Sequence, residues 1–368
     1  MTGPPGELFA VLPNDIDDAA APSGGNRYDR EVCTGLTTLG WAVRELAAHG
    51  AWPGPHGADL AALGALLSGL PAGALTLVDG LVASCSPGVL AAHAARLRLV
   101  VLVHMPFGDT DPAARPAEHR SLHAAEAIVT TSDWTRRRLL ELYDLPVGRI
   151  HVATPGADPA PVAAGSDGAR SGAPALLCVA VVGRHKGHDV LVEALARVAD
   201  LAWTCVCAGS LERDPAFVAA LTARVDALAL GDRLRLAGPK TRTELDDLYA
   251  GADLLVHPSL GETYGMVAAE ALARGIPVLG TTAKGLPEAV GRGPGLLVPP
   301  GDAGALAGAL RDWLGDGALR HRLRVAALER RGTLTGWDVT ARTISDTLRG
   351  LPDRAAGSGH CGAGLARN

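Results

Sequence analysis

Short apolar runs alternate with longer helical patterns along the whole chain. In the first half, the apolar runs predict strands at residues 8–11, 75–78, 99–103, 127–130 and 150–153. In the second half, they predict strands at residues 176–182, 203–208, 234–236, 254–257, 278–280 and 296–298. Helical patterns lie between the strands, for example at residues 31–49, 60–70, 134–143 and 190–198. This alternation indicates parallel sheets with helices on both faces.

The length of 368 residues favours two domains over one. Residues 155–174 are rich in Pro, Gly, Ala and Ser without periodicity, which is typical of a linker. We therefore predict an α/β fold of two facing Rossmann-like domains, with ligands bound at the carboxyl ends of the strands in the cleft between them. The predicted parts are an N-terminal domain at 1–158, a linker at 159–174, a C-terminal domain at 175–335, a helix at 336–351 and a disordered tail at 352–368.

Composition and charge exclude several classes of protein. The net charge of −5 and the lack of a long basic run argue against nucleic acid as a partner. No signal peptide and no apolar run of membrane-spanning length is evident, so we predict a cytoplasmic protein, with peripheral membrane contact left open. The six cysteines fit no zinc spacing, which favours buried free thiols. The arginine-rich stretch 320–331 predicts a solvated helix face.

Residues 258–277 contain the most informative pattern, a strand end, a loop and a helix that starts near Gly265. A helix start offers free N–H groups and a positive dipole end to an anion. Glu262 lies in the loop and Glu270 lies in the helix. Because a carboxylate can accept two hydrogen bonds from a vicinal diol, this segment could hold a sugar, a ribose and a phosphate. The alternative is a pair of surface glutamates near a helix start.

A second pattern follows the first strand of the C-terminal half, where Arg184 and Lys186 lie in a glycine-flanked turn. Arginine can bind a diphosphate through two hydrogen bonds, and lysine adds a point charge. Such a turn suits a place where negative charge grows as a phosphate leaves. The alternative is a solvated basic turn.

Four weaker patterns follow other strands. Gly24 and Gly25 precede a helix and permit close backbone approach to a ligand, although a flexible surface loop explains them equally well. His104 ends a buried strand and is either a cleft residue or a structural histidine. Glu288, after a glycine turn, either faces the cleft or complements the dipole of its own helix. Lys240 lies in a loop that could flank a nucleotide base.

Taken together in this order, these segments resemble glycosyltransferase family 4, retaining nucleotide-sugar-dependent enzymes of GT-B architecture. The resemblance runs from Asn14 to Trp337. Its motifs are PSLGETYGMVAAEALARGIPVLGT, VVGRHKGHDVLVEAL, VTTSDWTRRRL and PGAD. One departure is the short turn from Arg184 to Lys186, where many members have a longer loop.

The resemblance implies two groups of site residues. The catalytic group is His104, Arg184, Lys186 and Glu262. The donor-binding group is Gly25, Tyr264, Gly265, Met266 and Glu270. On the same basis, Glu270 holds the ribose hydroxyls, Glu262 contacts the donor sugar, and His104 lies beside the transferred sugar and the acceptor. Tyr264, Gly265 and Met266 contribute backbone groups to the sugar and phosphates, and Gly25 closes over the diphosphate that Arg184 and Lys186 neutralise.

The implied function is retaining transfer of a hexosyl group from a nucleoside diphosphate sugar, with UDP favoured over GDP, to a hydroxyl of a small sugar, cyclitol, natural product or lipid-linked acceptor. No cofactor is expected. The C-terminal half has no Asp-x-Asp motif, which fits metal-independent chemistry. Two alternatives are a noncatalytic nucleotide-sugar-binding partner and a nonhydrolysing epimerase of GT-B type. A phosphorylase needs a pyridoxal-bearing lysine, and none of the three lysines lies in a suitable context.

Overall fold

Two parallel six-stranded sheets form the framework of the computed structural model, which describes residues 6–18, 23–166 and 172–352. The N-terminal sheet contains β1 (Glu7–Pro13), β2 (Ala42–Ala48), β3 (Leu75–Asp79), β4 (Arg98–Val103), β5 (Ala127–Thr130) and β6 (Ile150–Val152). The C-terminal sheet contains β7 (Ala175–Val179), β8 (Thr204–Ala208), β9 (Leu234–Leu236), β10 (Leu254–His257), β11 (Val278–Thr281) and β12 (Gly295–Val298).

Helices connect the strands in both halves. In the N-terminal half they are α1 (Gly24–Thr38), α2 (Gly57–Ser68), α3 (Gly80–Ser84), α4 (Pro87–His93), α5 (Phe107–Thr110), α6 (Arg115–Ala124) and α7 (Asp133–Tyr143). In the C-terminal half they are α8 (His188–Ala196), α9 (Pro215–Ala227), α10 (Arg242–Ala250), α11 (Met266–Ala273), α12 (Leu286–Val290), α13 (Ala303–Gly315), α14 (Gly317–Arg331) and α15 (Trp337–Arg349). Short 3-10 turns occur at Pro112–Ala114, Val147–Arg149 and Arg184–Lys186.

The strand order determines where a ligand can bind. The N-terminal sheet has the order β2-β1-β3-β4-β5-β6, and the C-terminal sheet has the order β12-β11-β10-β7-β8-β9. The direction of the connections therefore reverses between β1 and β3 and again between β7 and β10. Ligands of open parallel sheets bind outside the carboxyl ends of the strands at such reversals. The predicted α/β fold with two parallel sheets is confirmed.

The central strands are buried on both faces, which explains their continuous apolar runs. Along β4, Val101 and Val103 pack into one core cluster, whereas Val100 and Leu102 pack into the cluster on the opposite face. A strand covered by helices on both sides has no polar face, so its sequence does not alternate. These runs were predictable for this reason.

One predicted helix is wrong. The pattern at residues 31–49 predicted a single helix, but α1 ends at Thr38 and the chain continues as strand β2. Gly40, with a φ of +91°, makes the turn between them. Because β2 is the edge strand and is largely exposed, charged residues such as Arg44 and Glu45 interrupt its apolar pattern. The predicted strand at 176–182 is also shorter, since β7 ends at Val179.

The last helix returns to the N-terminal half. In α15, Ile344 and Leu348 join the apolar cluster of the N-terminal sheet. The indole N–H of Trp41 donates to the Ser345 hydroxyl at 2.9 Å, which ties α15 to the region after α1. The predicted boundaries at 158, 174 and 335 remain predictions; part of the linker (167–171) and the tail from 353 onward lie outside the described residues.

The sequence predicts a solvated face for the arginine-rich helix α14, but some of its arginines bind main-chain carbonyl groups of neighbouring segments. Arg324 donates to the carbonyls of Gly275 and Ala163, and Arg331 donates to that of Ala273 at 2.8 Å. These side chains satisfy carbonyl groups at and just beyond the end of α11 and in the connecting segment. Within residues 6–18, 23–166 and 172–352, no helix has the length and apolarity needed to cross a bilayer.

Candidate functional site

The start of α11 lies at the carboxyl edge of the C-terminal sheet and depends on Gly265. This residue has a φ of +104°, and a β-carbon there would lie 2.6 Å from the Leu286 side chain. Only glycine fits such a position without strain. The Tyr264 side chain before it is buried in the core. This confirms the predicted local shape and leaves ligand contact as a prediction.

Glu262 is held from one side by two donors. Lys186 Nζ donates to Glu262 Oε2 at 2.8 Å, and His257 Nε2 lies 3.2 Å from the same oxygen. Burial raises the pKa of Glu262, but the attraction of Lys186 and His257 outweighs burial and lowers the pKa to about 2. Glu262 is therefore a carboxylate at all physiological pH values, and its Oε1 has no hydrogen-bond donor among residues 6–18, 23–166 and 172–352.

The basic turn after β7 packs against the loop that carries Glu262. Gly187 closes this turn with a φ of +69°, and a β-carbon there would lie 2.2 Å from the Pro258 carbonyl oxygen. Arg184 lies over the Phe217 ring, 5.1 Å from its centroid. Within the described part of the chain Arg184 has no carboxylate partner, whereas Lys186 is paired with Glu262. Arg184 is thus the uncompensated positive charge of this turn.

Glu270 is occupied by protein groups in this structure. Arg27 Nη1 donates to Glu270 Oε1, and the Tyr249 hydroxyl donates to Oε2 at 3.0 Å. The second terminal nitrogen of Arg27 donates to Asp158 at 2.8 Å, and so does Arg242. Since Arg27 belongs to α1, this group of ion pairs joins the two halves at the position predicted to hold a ribose.

His104 lies at the end of β4, in contact with two buried aspartates that the sequence analysis did not select. Its Nε2 is 2.9 Å from Asp29 Oδ1 and 3.2 Å from Asp79 Oδ2. The two carboxylates outweigh the effect of burial and raise the pKa of His104. A β-carbon on Gly25 would lie 3.4 Å from the ring, so Gly25 covers one face of the imidazole.

The two halves approach each other closely at these residues. A β-carbon on Gly24 would lie 3.6 Å from Met266 Sδ, which places the glycine pair of α1 opposite the start of α11. Glu288 accepts from the backbone N–H groups of Asp133 and Trp134, at 2.9 and 2.6 Å. Glu288 therefore complements the dipole of α7, not only that of its own helix as the alternative interpretation had it.

The structure brings some of the predicted site residues into contact. On the C-terminal side, Glu262 contacts Lys186 and lies against Gly265, and on the N-terminal side Gly25 lies against His104. Arg184 and Glu270 instead contact residues outside the predicted set. Lys240 instead makes an ion pair with Glu244 at 3.7 Å, and its position beside a base remains a prediction.

Sequence reasoning missed several partners, namely Arg27, Asp29, Asp79, Tyr249 and His257. Asp79 and His257 each end a parallel strand next to a reversal, a signal that could have identified them.

A separate cluster of potential metal ligands lies inside the C-terminal half. Cys178, His188 and Cys207 are buried, and their ligand atoms lie within 4.8 Å of one another. Cys178 and Cys207 are register partners on β7 and β8. The thiols are free, as predicted, in the five cysteines that the structure describes. His188 Nδ1 lies 3.5 Å from the carbonyl oxygen of Gly183, which places this cluster next to the basic turn.

Comparison with known proteins identifies the class of protein. Residues 164–330 match the family model described as "Glycosyl transferases group 1", and residues 21–161 match the model described as "Glycosyltransferase Family 4". The chain belongs to glycosyltransferase family 4 and has the GT-B architecture.

Sequence relatives carry one recurring name. The chain is 36% identical over 276 residues to a D-inositol 3-phosphate glycosyltransferase of Kineococcus radiotolerans, an alignment that covers 68% of this chain and 63% of the relative. The chain thus spans about three fifths of the length of the curated relatives that it matches.

Solved structures share the fold. A sucrose-phosphate synthase of Thermosynechococcus elongatus superimposes with a TM-score of 0.76 at 23% identity, covering 93% of this chain and 98% of the other. Anabaena HepE, solved in complex with UDP-glucose, gives a TM-score of 0.71 at 17% identity over 94% of this chain and 100% of the other.

Proposed function

We propose that the chain is a retaining, metal-independent glycosyltransferase that moves a hexosyl group from a nucleoside diphosphate sugar to an acceptor hydroxyl. The observation that carries this proposal is the convergence of Arg184, Lys186, Glu262 and the start of α11 at one sheet reversal, opposite Gly25 and His104. UDP is the favoured nucleotide, in keeping with the UDP-glucose complex of the structural neighbour HepE.

The C-terminal half supplies what a departing diphosphate needs. When the bond between the anomeric carbon and the phosphate oxygen breaks, its electron pair stays on the diphosphate. Arg184 and the N–H groups at the start of α11 stabilise that charge where it develops. Lys186 is already paired with Glu262, so an arriving diphosphate shares or releases this ion pair. Glu262 Oε1, which accepts no hydrogen bond from the described residues, can accept one from the donor sugar.

Glu270 binds the ribose hydroxyls in this proposal, and we expect Arg27 to move aside to admit them. Both oxygens of Glu270 accept a hydrogen bond from a protein group, one from Arg27 and one from Tyr249. A ribose hydroxyl can replace the hydrogen bond that Arg27 donates to Glu270, and Asp158 remains as a partner for the guanidinium. Donor binding is therefore coupled to the contact between the two halves.

The acceptor binds on the N-terminal side. Its hydroxyl oxygen forms the new bond to the anomeric carbon on the face from which the diphosphate departs, and its proton passes to the leaving phosphate oxygen. Holding both reactants in one closed cleft supplies the proximity that this step needs. The acceptor is a small sugar, cyclitol, natural product or lipid-linked hydroxyl compound, and the relatives named for inositol 3-phosphate make that compound the first to assay.

A thermal-shift screen with UDP, GDP and ADP, followed by an assay for release of the nucleoside diphosphate, tests the proposal. A nucleotide present at about 100 times its Kd should stabilise the fold by about 2.7 kcal/mol. Release that depends on an acceptor indicates transfer. A thermal shift without release from any donor and acceptor pair indicates a noncatalytic binding protein instead. If no nucleotide shifts the unfolding temperature, the proposal is wrong.

A further inference from the structure

The strongest unexplained feature of the molecule is the buried cluster formed by Asp29, Asp79 and His104. The side chains of Asp29 and Asp79 are 3% and 4% exposed, whereas that of His104 is 20% exposed and reaches the cleft. Both carboxylates contact the same ring nitrogen, Nε2. Two buried carboxylates beside one imidazole carry negative charge that needs a positive partner, because an unpaired buried charge is costly.

The rest of the environment fixes the orientation of the ring. Gly25 covers one face of the imidazole, and the Tyr28 ring meets it edge-on with its centroid 5.3 Å away. The Asp79 carboxylate is itself fixed, because its Oδ1 accepts from the backbone N–H groups of Leu81 and Val82 at the start of α3, which leaves Oδ2 for His104. The ring therefore cannot turn Nε2 toward the cleft without losing both carboxylates.

We propose that Asp29 and Asp79 are positioning residues that clamp His104 through Nε2 and keep its ring doubly protonated. The proposal rests on the function proposed above and assigns His104 a definite part in it. His104 donates a hydrogen bond from Nδ1 and does not act as the base that removes the acceptor proton. Among the described residues, none accepts a hydrogen bond from Nδ1, so this second N–H is available to a ligand in the cleft.

The charges around the ring support a retained proton. The groups that face it are Asp29 and Tyr28 from α1 and Asp79 from the end of β3. The carboxylates raise the pKa of His104 despite its burial. Burial, with the added repulsion of Asp79, also raises the pKa of Asp29, although His104 opposes this rise. Both shifts favour the protonated form of the group concerned, so the His104 ring keeps its second proton through neutral pH.

This assignment determines where the acceptor proton goes. A doubly protonated imidazole has no lone pair to accept it, so the proton leaves with the diphosphate as the new C–O bond forms. The imidazolium meanwhile places positive charge and one N–H donor beside the reacting sugar. No additional base, oxidant or co-reactant is required.

Histidine-selective ¹⁵N NMR of the EDTA-treated full chain tests the proposal without reference to activity, with His104→Gln used to assign the signal. We expect His104 to keep both protons at pH 8. Asp29→Asn and Asp79→Asn should each lower its titration midpoint by about one to two pH units. Asp79→Asn retains an oxygen for the α3 N–H groups, so this variant stays informative even if Asp29→Asn folds poorly. A wild-type midpoint near about 6.5 would overturn the proposal.

The pH dependence of transfer provides the second readout. Wild-type kcat should not fall between pH 7 and pH 9 through His104, whereas in Asp79→Asn it should fall with the new, lower midpoint of His104. A merely structural aspartate would lower kcat equally at all pH values, and that result contradicts the positioning role. If no transfer is found at all, the NMR result still decides the state of His104, so failure of the proposed function and failure of this inference are distinguishable.

Discussion

The two sides of the cleft manage charge in opposite ways. On the C-terminal side, Glu262 is stabilised as a carboxylate by Lys186 and His257, and Arg184 has no carboxylate partner among the residues that the structure describes. On the N-terminal side, Asp29 and His104 are both driven toward their protonated forms. The C-terminal side is therefore prepared to receive negative charge, and the N-terminal side retains protons.

This difference indicates which side of the cleft recognises which substrate. An anionic nucleoside diphosphate belongs where a free guanidinium and a helix start converge. On the N-terminal side, the two arginines of α1 are held in ion pairs, Arg27 with Glu270 and Asp158 and Arg30 with Asp17. Substitutions on the two sides should accordingly separate nucleotide binding from transfer.

The largest expected effect follows from removing positive charge on the C-terminal side. Arg184→Ala and Lys186→Ala should each lower kcat/KM by roughly 100-fold or more and weaken nucleoside diphosphate binding. The reason is that the two positive side chains stabilise the leaving group in the wild-type protein. His104→Ala should lower kcat but leave the nucleotide Kd within about twofold. Steady-state kinetics and calorimetric titration measure the two quantities.

A matched control for these variants is Arg311→Ala. Arg311 is an exposed arginine of α13 that is paired with Asp200. This variant should change neither quantity. The comparison between the two sides breaks down if His104→Ala weakens nucleotide binding as strongly as Arg184→Ala does.

A smaller effect concerns the pH dependence of stability. The folded pKa of Glu262 lies near 2, below its ordinary value of 4.5, so its ionisation stabilises the fold above about pH 4.5 and the stabilisation is lost as the pH falls toward 2. The full shift corresponds to about 3 kcal/mol. Glu262→Gln should therefore be clearly less stable than wild type at pH 7, with a difference that shrinks below pH 4.5.

Thermal unfolding followed by circular dichroism at several pH values measures this difference. Glu193→Gln is a suitable control, since Glu193 forms an exposed pair with Arg224 on the same half of the molecule. A Glu262→Gln difference that stays constant from pH 7 to pH 3 would show that Glu262 is not held as a stabilised carboxylate.

The smallest expected effect concerns the contact between the two halves. Glu288→Gln should weaken the hydrogen bonds that residue 288 accepts from the N–H groups at the start of α7. The closed arrangement of the two halves should become less favourable by about 1 kcal/mol. That amount corresponds to an increase of about fivefold in the KM for the donor, with little change in kcat. Small-angle scattering should show a slightly larger radius of gyration. An unchanged KM would show that this contact does not contribute to closure.

The fold and the C-terminal side were predictable from sequence for different reasons. Buried strands are continuous apolar runs, and Glu262 and Glu270 lie in a single strand-loop-helix segment, so spacing alone relates them. Asp29, Asp79 and His104 come from three separate parts of the chain. Asp79 is marked by its place at the end of β3, next to a reversal, but no local pattern distinguishes Asp29 from other helical aspartates. Strand β2 was missed because an exposed edge strand lacks the apolar pattern of a buried one.

The pairing of Arg27 with Glu270 was also invisible in the sequence. The two residues are 243 positions apart and meet only because the halves face each other. Such a contact depends on domain arrangement, which apolar periodicity does not encode.

A crystal structure of the chain with UDP, or with whichever of UDP, GDP and ADP gives the largest thermal shift, would show where the nucleotide binds. We expect the diphosphate against Arg184 and the backbone of residues 265–266, the ribose hydroxyls on Glu270, and Arg27 released from Glu270 while it keeps Asp158. A nucleotide bound elsewhere, or a ribose that leaves the Arg27–Glu270 pair intact, would contradict the account.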